Sequence, residues 1–358
     1  MAKLTDISWE DFKNLPLESK RPYLENGVLP NTPYHTLFAQ QFDRDLLVRL
    51  AALANRIRFM AKSKEGALYL KSLLPHKRAM LYFSQPSSRT FLSHLAACQI
   101  LGLTTGSVRD AATSSEFKGE SREDSIRTCS SYFDMIIMRT PEKGLAEHMA
   151  WELSNSSRPI PIINAGSGKD QHPTQALLDI YTLLRSFETK GGLRGRTVTF
   201  CGDLLRGRTV RSLSYLLTDF DDIRQVFVAP PQLQVPADVL AILDEKGVKY
   251  EVSDDLRAAV KVSDAVYMTR IQDEWDEAKG ESARIDTHLF KFGAEELALL
   301  PKDGVIMHPL PRRDEIATCC DHDPRAMYWR QMRNGMWVRS ALIAMTFGFE
   351  KQIMCFGA

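Results

Sequence analysis

Residues 79–94 read AMLYFSQPSSRTFLSH. Ala79–Phe83 is a short apolar run without alternation, the pattern of a strand covered on both faces. Ser84, Gln85 and Pro86 break it, and beyond the turn apolar residues recur at helical spacing at Leu92, Leu95, Ala96 and Ile100. A strand that enters a helix through a polar turn is the unit of a parallel sheet, because parallel strands need a crossover. The rhythm repeats in "MIIM" ending at Arg139, then in "PIIN", "TVTFCG", "QVFVAP", "KYEVS", "AVYMT" and "GVIMH", with helical segments between most of them. The segment "DRDLLVRLAALANRIRFMAK" adds an earlier helix with Leu46, Leu50, Leu53 and Ile57 on one face.

This reading predicts an α/β chain of two domains, each a parallel sheet flanked by helices, joined by interdomain helices. A length of 358 residues suits two cores. The junction is expected just before the polar, Gly-rich stretch "RSFETKGGLRGR" at 185–196, on the helix "PTQALLDIYTLL". The expected divisions are an N-terminal extension over 1–35, a first domain over 36–184 and a second over 185–338. A terminal helix within 339–358, beginning "RSALIAMTFGF", is expected to pack back on the first domain.

The formal net charge of +1 provides no global field for nucleic acid or an anionic membrane surface. Anions must therefore be held by local arginines. The first twenty residues lack an apolar h-region, and no window approaches ~18 consecutive apolar residues. Six cysteines are scattered without a Cys-x-x-Cys pair, and the neighbours Cys319 and Cys320 read as reduced thiols of a cytoplasmic protein.

Four motifs lie where strands end. In open α/β sheets ligands bind beyond the carboxyl ends of strands. There a helix start offers N–H groups and partial positive charge. "SSRT" at 87–90 adds hydroxyls and a guanidinium to such a start, a phosphate cradle; the plainer reading is a serine N-cap beside a solvated arginine. "HPTQ" at 172–175 sets His172 before Pro173, a residue suited to the first helical position, with Gln175 one turn in. Leu177, Leu178 and Tyr181 make that helix's buried face. A histidine so placed can donate to a carbonyl oxygen or act only as a cap. "HPLPRRDE" at 308–315 stops a strand with two prolines and leaves the Leu310 carbonyl outside any ladder; X-Pro bonds there can be cis. "GDLLRGRT" at 202–209 departs from G-x-x-x-x-G-K-[ST] only in Arg208, which raises a nucleotide-binding alternative that the missing lysine opposes. Arg89, Arg139, Arg208 and Arg270 all follow strands, which suggests a site for a multiply charged small anion.

In combination, "SSRT", "TSSEFKGES", "MRTP", "HPTQ", "GDLLRGRTVRSL", "YMTRIQ" and "HPLPRRDEIA" resemble the catalytic chains of the aspartate/ornithine carbamoyltransferase family, from about residue 36 to 348. "HPTQ" and "HPLP" are similar to the aspartate branch; the ornithine branch typically carries cysteine in the corresponding motifs. The resemblance implies a first domain for carbamoyl phosphate and a second for aspartate, serving pyrimidine biosynthesis. It implies that Ser87, Ser88, Arg89, Thr90 and Arg139 hold the phosphate, and that Thr90, Arg139 and His172 meet the carbonyl oxygen. Gln175 and the carbonyls of Leu310 and Pro311 would hold the carbamoyl NH₂. Arg208, Arg270 and Gln272 would clamp the dicarboxylate. Ser114 and Lys118 would reach the site from a neighbouring subunit, so a homotrimer with shared sites is implied. No metal or cofactor is implied, and a regulatory chain is left undetermined.

Four positions depart from the family pattern. Phe91 and Leu95 replace an arginine and a glutamate four residues apart, an ion pair exchanged for an apolar pair. Gln85 stands where glutamate is frequent, and Trp275 where a partner arginine is common in allosteric members. A carbamoyltransferase for another amino-acid acceptor is the alternative these departures raise, with a non-catalytic paralogue behind it.

Overall fold

The computed structural model describes residues 2–27, 31–109, 119–168, 171–273, 276, 282–286 and 288–357. The chain forms two compact units: Met1–Leu177 with Arg333–Ala358, and Leu178–Met332.

In the first unit α1 (Trp9–Asn14), α2 (Leu17–Lys20), α3 (Arg44–Met60) and α4 (Lys64–Lys71) precede the sheet. There follow β1 (Arg78–Phe83), α5 (Ser88–Ile100), β2 (Thr104–Val108), α6 (Arg122–Ser130), β3 (Met135–Thr140), α7 (Leu145–Ser154), β4 (Ile162–Ser167) and α8 (Pro173–Phe187). In the second unit come β5 (Thr197–Cys201), α9 (Arg208–Leu217), β6 (Arg224–Val228), α10 (Ala237–Glu245), β7 (Lys249–Ser253), α11 (Leu256–Lys261), β8 (Ala265–Met268), α12 (Ala294–Leu299) and β9 (Val305–Met307). Then α13 (Tyr328–Thr346) leads to α14 (Glu350–Met354). The unit boundaries fall inside α8 and α13.

Both sheets are parallel, in the orders β2-β1-β3-β4 and β7-β6-β5-β8-β9. This bears out the predicted fold class. In each sheet the strand order reverses once, between β1 and β3 and between β5 and β8. Helices leave on opposite sides of such a point and open a crevice at the strands' carboxyl ends. The fully apolar strands are the covered ones: every residue of β3 is buried, as are Ala79–Phe83 of β1.

The face predicted for α3 is the one buried, with Leu46, Leu50, Leu53 and Ile57 in the core, and Asp43 caps its start by accepting from the Leu46 amide at 2.9 Å. The N-terminal segment carries core of its own: Leu4, Phe12 and Leu24 join Met149 and Leu153 of α7 in one apolar cluster. Near its end Thr36 pairs in parallel with Ile163 of β4.

Two details differ from the sequence reading. Strand β2, "TTGSV", has no fully buried residue, so its polar edge sequence hid it. On α5 the inward face is Thr90, Phe91, His94, Ala97 and Cys98, whereas Leu92 lies 57% exposed. His94 takes an inward position because its Nδ1–H donates to the Thr90 carbonyl (2.9 Å). Among the described residues, no helix is long and apolar enough to cross a membrane.

Candidate active site

The first unit gathers its half of the predicted residues at the ends of β1, β3 and β4. Ser87 is the N-cap of α5, in extended backbone, and its side chain makes no capping bond. The plain capping reading therefore fails: the hydroxyl is not spent on the helix. Ser88, Arg89 and Thr90 form the first turn, whose N–H groups have no intrahelical acceptor. The Gln85 amide donates to the Arg139 carbonyl (3.3 Å), so the turn after β1 and the end of β3 are tied together.

Arg139 is buried, and its Nη1 donates to the Ala165 carbonyl at 3.1 Å. His172 is also buried, and the amides of Gln175 and Ala176 donate to its carbonyl at 3.0 and 3.3 Å. His172 thus sits at the start of α8, as its place before Pro173 predicts. Leu177, Leu178 and Tyr181 are buried on the same helix.

Gly166 brings the Arg139 guanidinium and the His172 imidazole together. Its φ is +122°, and a Cβ there would lie 2.4 Å from Arg139 Nη1 and 3.5 Å from Cδ2 of His172. Only a residue without a side chain lets guanidinium and imidazole share that space. Asn164 shapes the turn, accepting from the Gly166 amide (2.8 Å) and donating to the Leu37 carbonyl (2.9 Å). Gly166→Ala is expected to lower kcat/KM by about a hundredfold through misplacement of Arg139. Steady-state rates, with a circular-dichroism melt to confirm folding, would check this; wild-type rates would show that the guanidinium position is not limiting.

A second buried arginine lies behind the cradle. Arg339 on α13 is buried and donates to Ser93 Oγ of α5 (2.7 Å) and Thr174 Oγ1 of α8 (3.5 Å). It ties the second turn of α5 to the first turn of α8. Burial first, and then the charges of Arg339 and Arg139, hold the His94 pKa well below its ordinary value. His94 is therefore neutral, and the fixed charge near the α5 start comes from arginines.

The second unit builds its half at the ends of β5, β8 and β9. Asp203 is fully buried after β5 and accepts the amides of Arg206 and Gln272, each at 3.0 Å. Burial raises its carboxyl pKa; those two N–H groups and the charges of Arg206 and Arg270 oppose the rise. Asp203 staples the loop carrying Arg208 to the stretch carrying Arg270 and Gln272. Gly202 permits this approach: a Cβ on it would lie 2.2 Å from the Thr269 carbonyl oxygen.

The same geometry dismisses the nucleotide-binding alternative. The amides of Leu204 and Leu205 donate to the Leu233 carbonyl, that of Arg206 to Asp203, and that of Arg208 to the Arg206 carbonyl. A phosphate-binding loop needs those N–H groups for its ligand, and no buried carboxylate among them.

Arg270 is mostly buried; its Nη1 donates to the Ile271 carbonyl (2.8 Å) and lies 3.7 Å from Asp273. Arg313 binds both oxygens of Asp273, at 2.9 and 2.8 Å. Arg206 reaches Asp276 at 2.8 Å. The Leu310–Pro311 bond is cis, and Leu310 has a φ of +54°. The acidic stretch after Gln272 is thus tied back to the β5 loop and to the turn after β9.

Ser114, Lys118 and Trp275 lie outside the described residues. Phe91 is a core residue: its ring meets Phe83 edge-on at 5.4 Å, and the guanidinium of Arg109 lies 4.4 Å from its centroid. Its replacement of an arginine is therefore absorbed by packing. Asn164, Gly166, Asp203, His308 and Arg339 carry supporting roles that the sequence reading did not assign. Asn164, Asp203, His308 and Arg339 stood inside quoted stretches, but nothing local to those stretches showed their partners.

Comparison with known proteins gives a family for this architecture. Residues 34–185 match the model for the carbamoyl-P binding domain of aspartate/ornithine carbamoyltransferase, and residues 194–346 match that for its Asp/Orn binding domain. The chloroplastic aspartate carbamoyltransferase of Oryza sativa subsp. japonica is 42% identical over 315 residues, covering 85% of this chain and 82% of that protein. An aspartate carbamoyltransferase catalytic subunit of Vibrio cholerae serotype O1 is 44% identical over 275 residues, 76% of this chain and 86% of that one. Among solved structures, aspartate transcarbamoylase from Trypanosoma cruzi in complex with carbamoyl phosphate superposes with a TM-score of 0.77 at 37% identity, covering 86% of this chain and 94% of that one. The catalytic subunit of M. jannaschii aspartate transcarbamoylase also gives 0.77, at 34% identity and 91% and 100% coverage. With both domain models matched along the chain, and relatives above 40% identity over most of it, the chain belongs to the aspartate/ornithine carbamoyltransferase family.

Proposed function

We propose that the protein transfers the carbamoyl group of carbamoyl phosphate to the α-amine of L-aspartate, giving N-carbamoyl-L-aspartate and phosphate. The observation that carries this reading is the first unit's cluster of hydrogen-bond donors: the Arg139 guanidinium against the His172 imidazole across Gly166, beside the uncapped start of α5. A phosphate belongs on the α5 start with Ser87, Ser88, Arg89 and Thr90. The carbamoyl oxygen then faces His172, Arg139 and Thr90, and Gln175 and the carbonyls of Leu310 and Pro311 receive the carbamoyl NH₂. Arg208, Arg270 and Gln272 take the two carboxylates of the acceptor.

The neutral amine attacks the carbamoyl carbon. Charge grows on the carbonyl oxygen, where His172, Arg139 and Thr90 donate, and such donors act most strongly in a dry site. The C–O bond to phosphate then breaks, and the proton lost by the attacking nitrogen passes to the departing phosphate. The charge on the departing phosphate is met by Arg89, Lys118 and the helix start. Holding two anions together is the main difficulty, so positioning on fixed cations supplies most of the rate.

In this reading Ser114 and Lys118 act in a neighbouring subunit's site, and the working form is a homotrimer. The compartment we assign is the cytosol, where scattered thiols stay reduced; the described cysteines are all unbridged. The test is a set of initial rates at fixed carbamoyl phosphate with aspartate, asparagine, alanine and ornithine. Aspartate is expected to be the best acceptor; a faster neutral or basic amine would overturn the acceptor assignment.

A further inference from the structure

We infer that His308 is a positioning residue for the turn that receives the carbamoyl NH₂, held as the neutral ring with its hydrogen on Nε2. The inference rests on the reading above for the role of that turn, and on geometry alone for the ring. His308 follows β9 and is fully buried. The Leu310 amide donates to its Nδ1 at 2.7 Å. A ring nitrogen that accepts carries no hydrogen, so the hydrogen sits on Nε2, which lies 2.6 Å from Oε1 of Glu315.

The carboxylate continues the arrangement. Oε2 of Glu315 accepts the Arg313 amide at 3.0 Å. One imidazole and one carboxylate therefore grip the turn on both sides of Leu310–Pro311. The left-handed backbone of Leu310, φ +54°, is a conformation that a leucine adopts only under such constraint.

The ring is itself fixed from behind within the second unit. The His308 amide donates to Gln331 Oε1 (2.9 Å), and Gln331 Nε2 donates to Asp179 Oδ1 (2.6 Å). The Tyr267 hydroxyl donates to the other oxygen of Asp179 (2.8 Å). All four side chains are buried. Each group has one assignment as donor or acceptor, and the ring cannot flip without setting its N–H against the Leu310 amide. Protonating Nδ1 produces the same clash of donors.

The two ring nitrogens can be tested separately. Asparagine places an acceptor oxygen near the Nδ1 position, and glutamine places its amide near the Nε2 position. In the full-length enzyme, His308→Asn is expected to keep kcat/KM for carbamoyl phosphate within roughly tenfold of wild type. His308→Gln and His308→Ala are expected to lose roughly a hundredfold, because the Leu310 amide loses its acceptor and the turn its position. Nitrogen-15 NMR of histidine-labelled enzyme, with the His308 signal assigned by its absence in the Asn variant, should show the Nε2–H neutral form. Nδ1–H or a charged ring in the unaltered enzyme would overturn the inference, and so would a Gln variant as active as the Asn variant. Should both variants fail to fold, the ring spectrum of the unaltered enzyme still decides, with its signal assigned from proximity to the Leu310 amide. Absence of any carbamoyl transfer would overturn the functional reading while leaving the ring assignment to the spectrum.

Discussion

His172→Ala is expected to lower kcat by two to three orders of magnitude while changing the KM for carbamoyl phosphate little. The imidazole sits buried at the start of α8, beside the guanidinium of Arg139. Neither group has to move when charge develops on a carbonyl oxygen placed between them. Removing one such donor costs ~2.7–4 kcal/mol in the transition state, where the oxygen is most negative. The ground-state carbonyl needs the donor far less, and the phosphate is held by other residues. Initial rates over a range of carbamoyl phosphate concentrations would separate the two effects. A KM increase with unchanged kcat would make His172 a binding residue and remove it from the chemistry.

The second large effect is on the acceptor. Arg270→Ala is expected to raise the KM for aspartate by roughly 10- to 100-fold, as the loss of a charge-assisted hydrogen bond worth ~1.5–3 kcal/mol implies. Arg270 is anchored in the structure: its Nη1 is tied to the Ile271 carbonyl, and the adjoining Gln272 amide is pinned by Asp203. The substitution leaves Arg89, Arg139 and His172 unchanged, so the KM for carbamoyl phosphate should stay within about twofold. Ornithine should remain a poor acceptor in the unaltered enzyme, since its cation would face an arginine. An aspartate KM that stays at the wild-type value in the variant would move the carboxylate clamp elsewhere.

Much of this was legible in the sequence because parallel α/β sheets put their chemistry in one kind of place. "SSRT", "HPTQ" and "HPLP" announce themselves as interruptions of apolar runs, and α3 shows its buried face in spacing alone. The rest was hidden for physical reasons. Strand β2 is an edge built of Thr, Gly, Ser and Val, with no buried run to reveal it. The inward face of α5 includes Thr90 and His94, which hydrogen bonding makes cheap to bury, so apolar spacing pointed at Leu92 instead. Asp203, His308 and Arg339 act through partners distant in sequence or set by backbone geometry. Asp203 meets Gln272 across two strands; Arg339 meets Ser93 from the far end of the chain. No local pattern encodes such pairings.

That last contact bears on how the protein is made. The first unit is discontinuous: its final piece, Arg333–Ala358, is the end of the chain. The bond from Arg339 to Ser93 spans 246 residues, and the ion pair of Arg49 with Glu350 (2.7 Å) spans 301. The second unit, by contrast, is one unbroken segment and holds its own apolar cluster. During vectorial synthesis the segment made in the middle can therefore complete its core before the segment made first. Until the segment carrying Arg339 is made, the amino-terminal half lacks the brace behind its anion cradle.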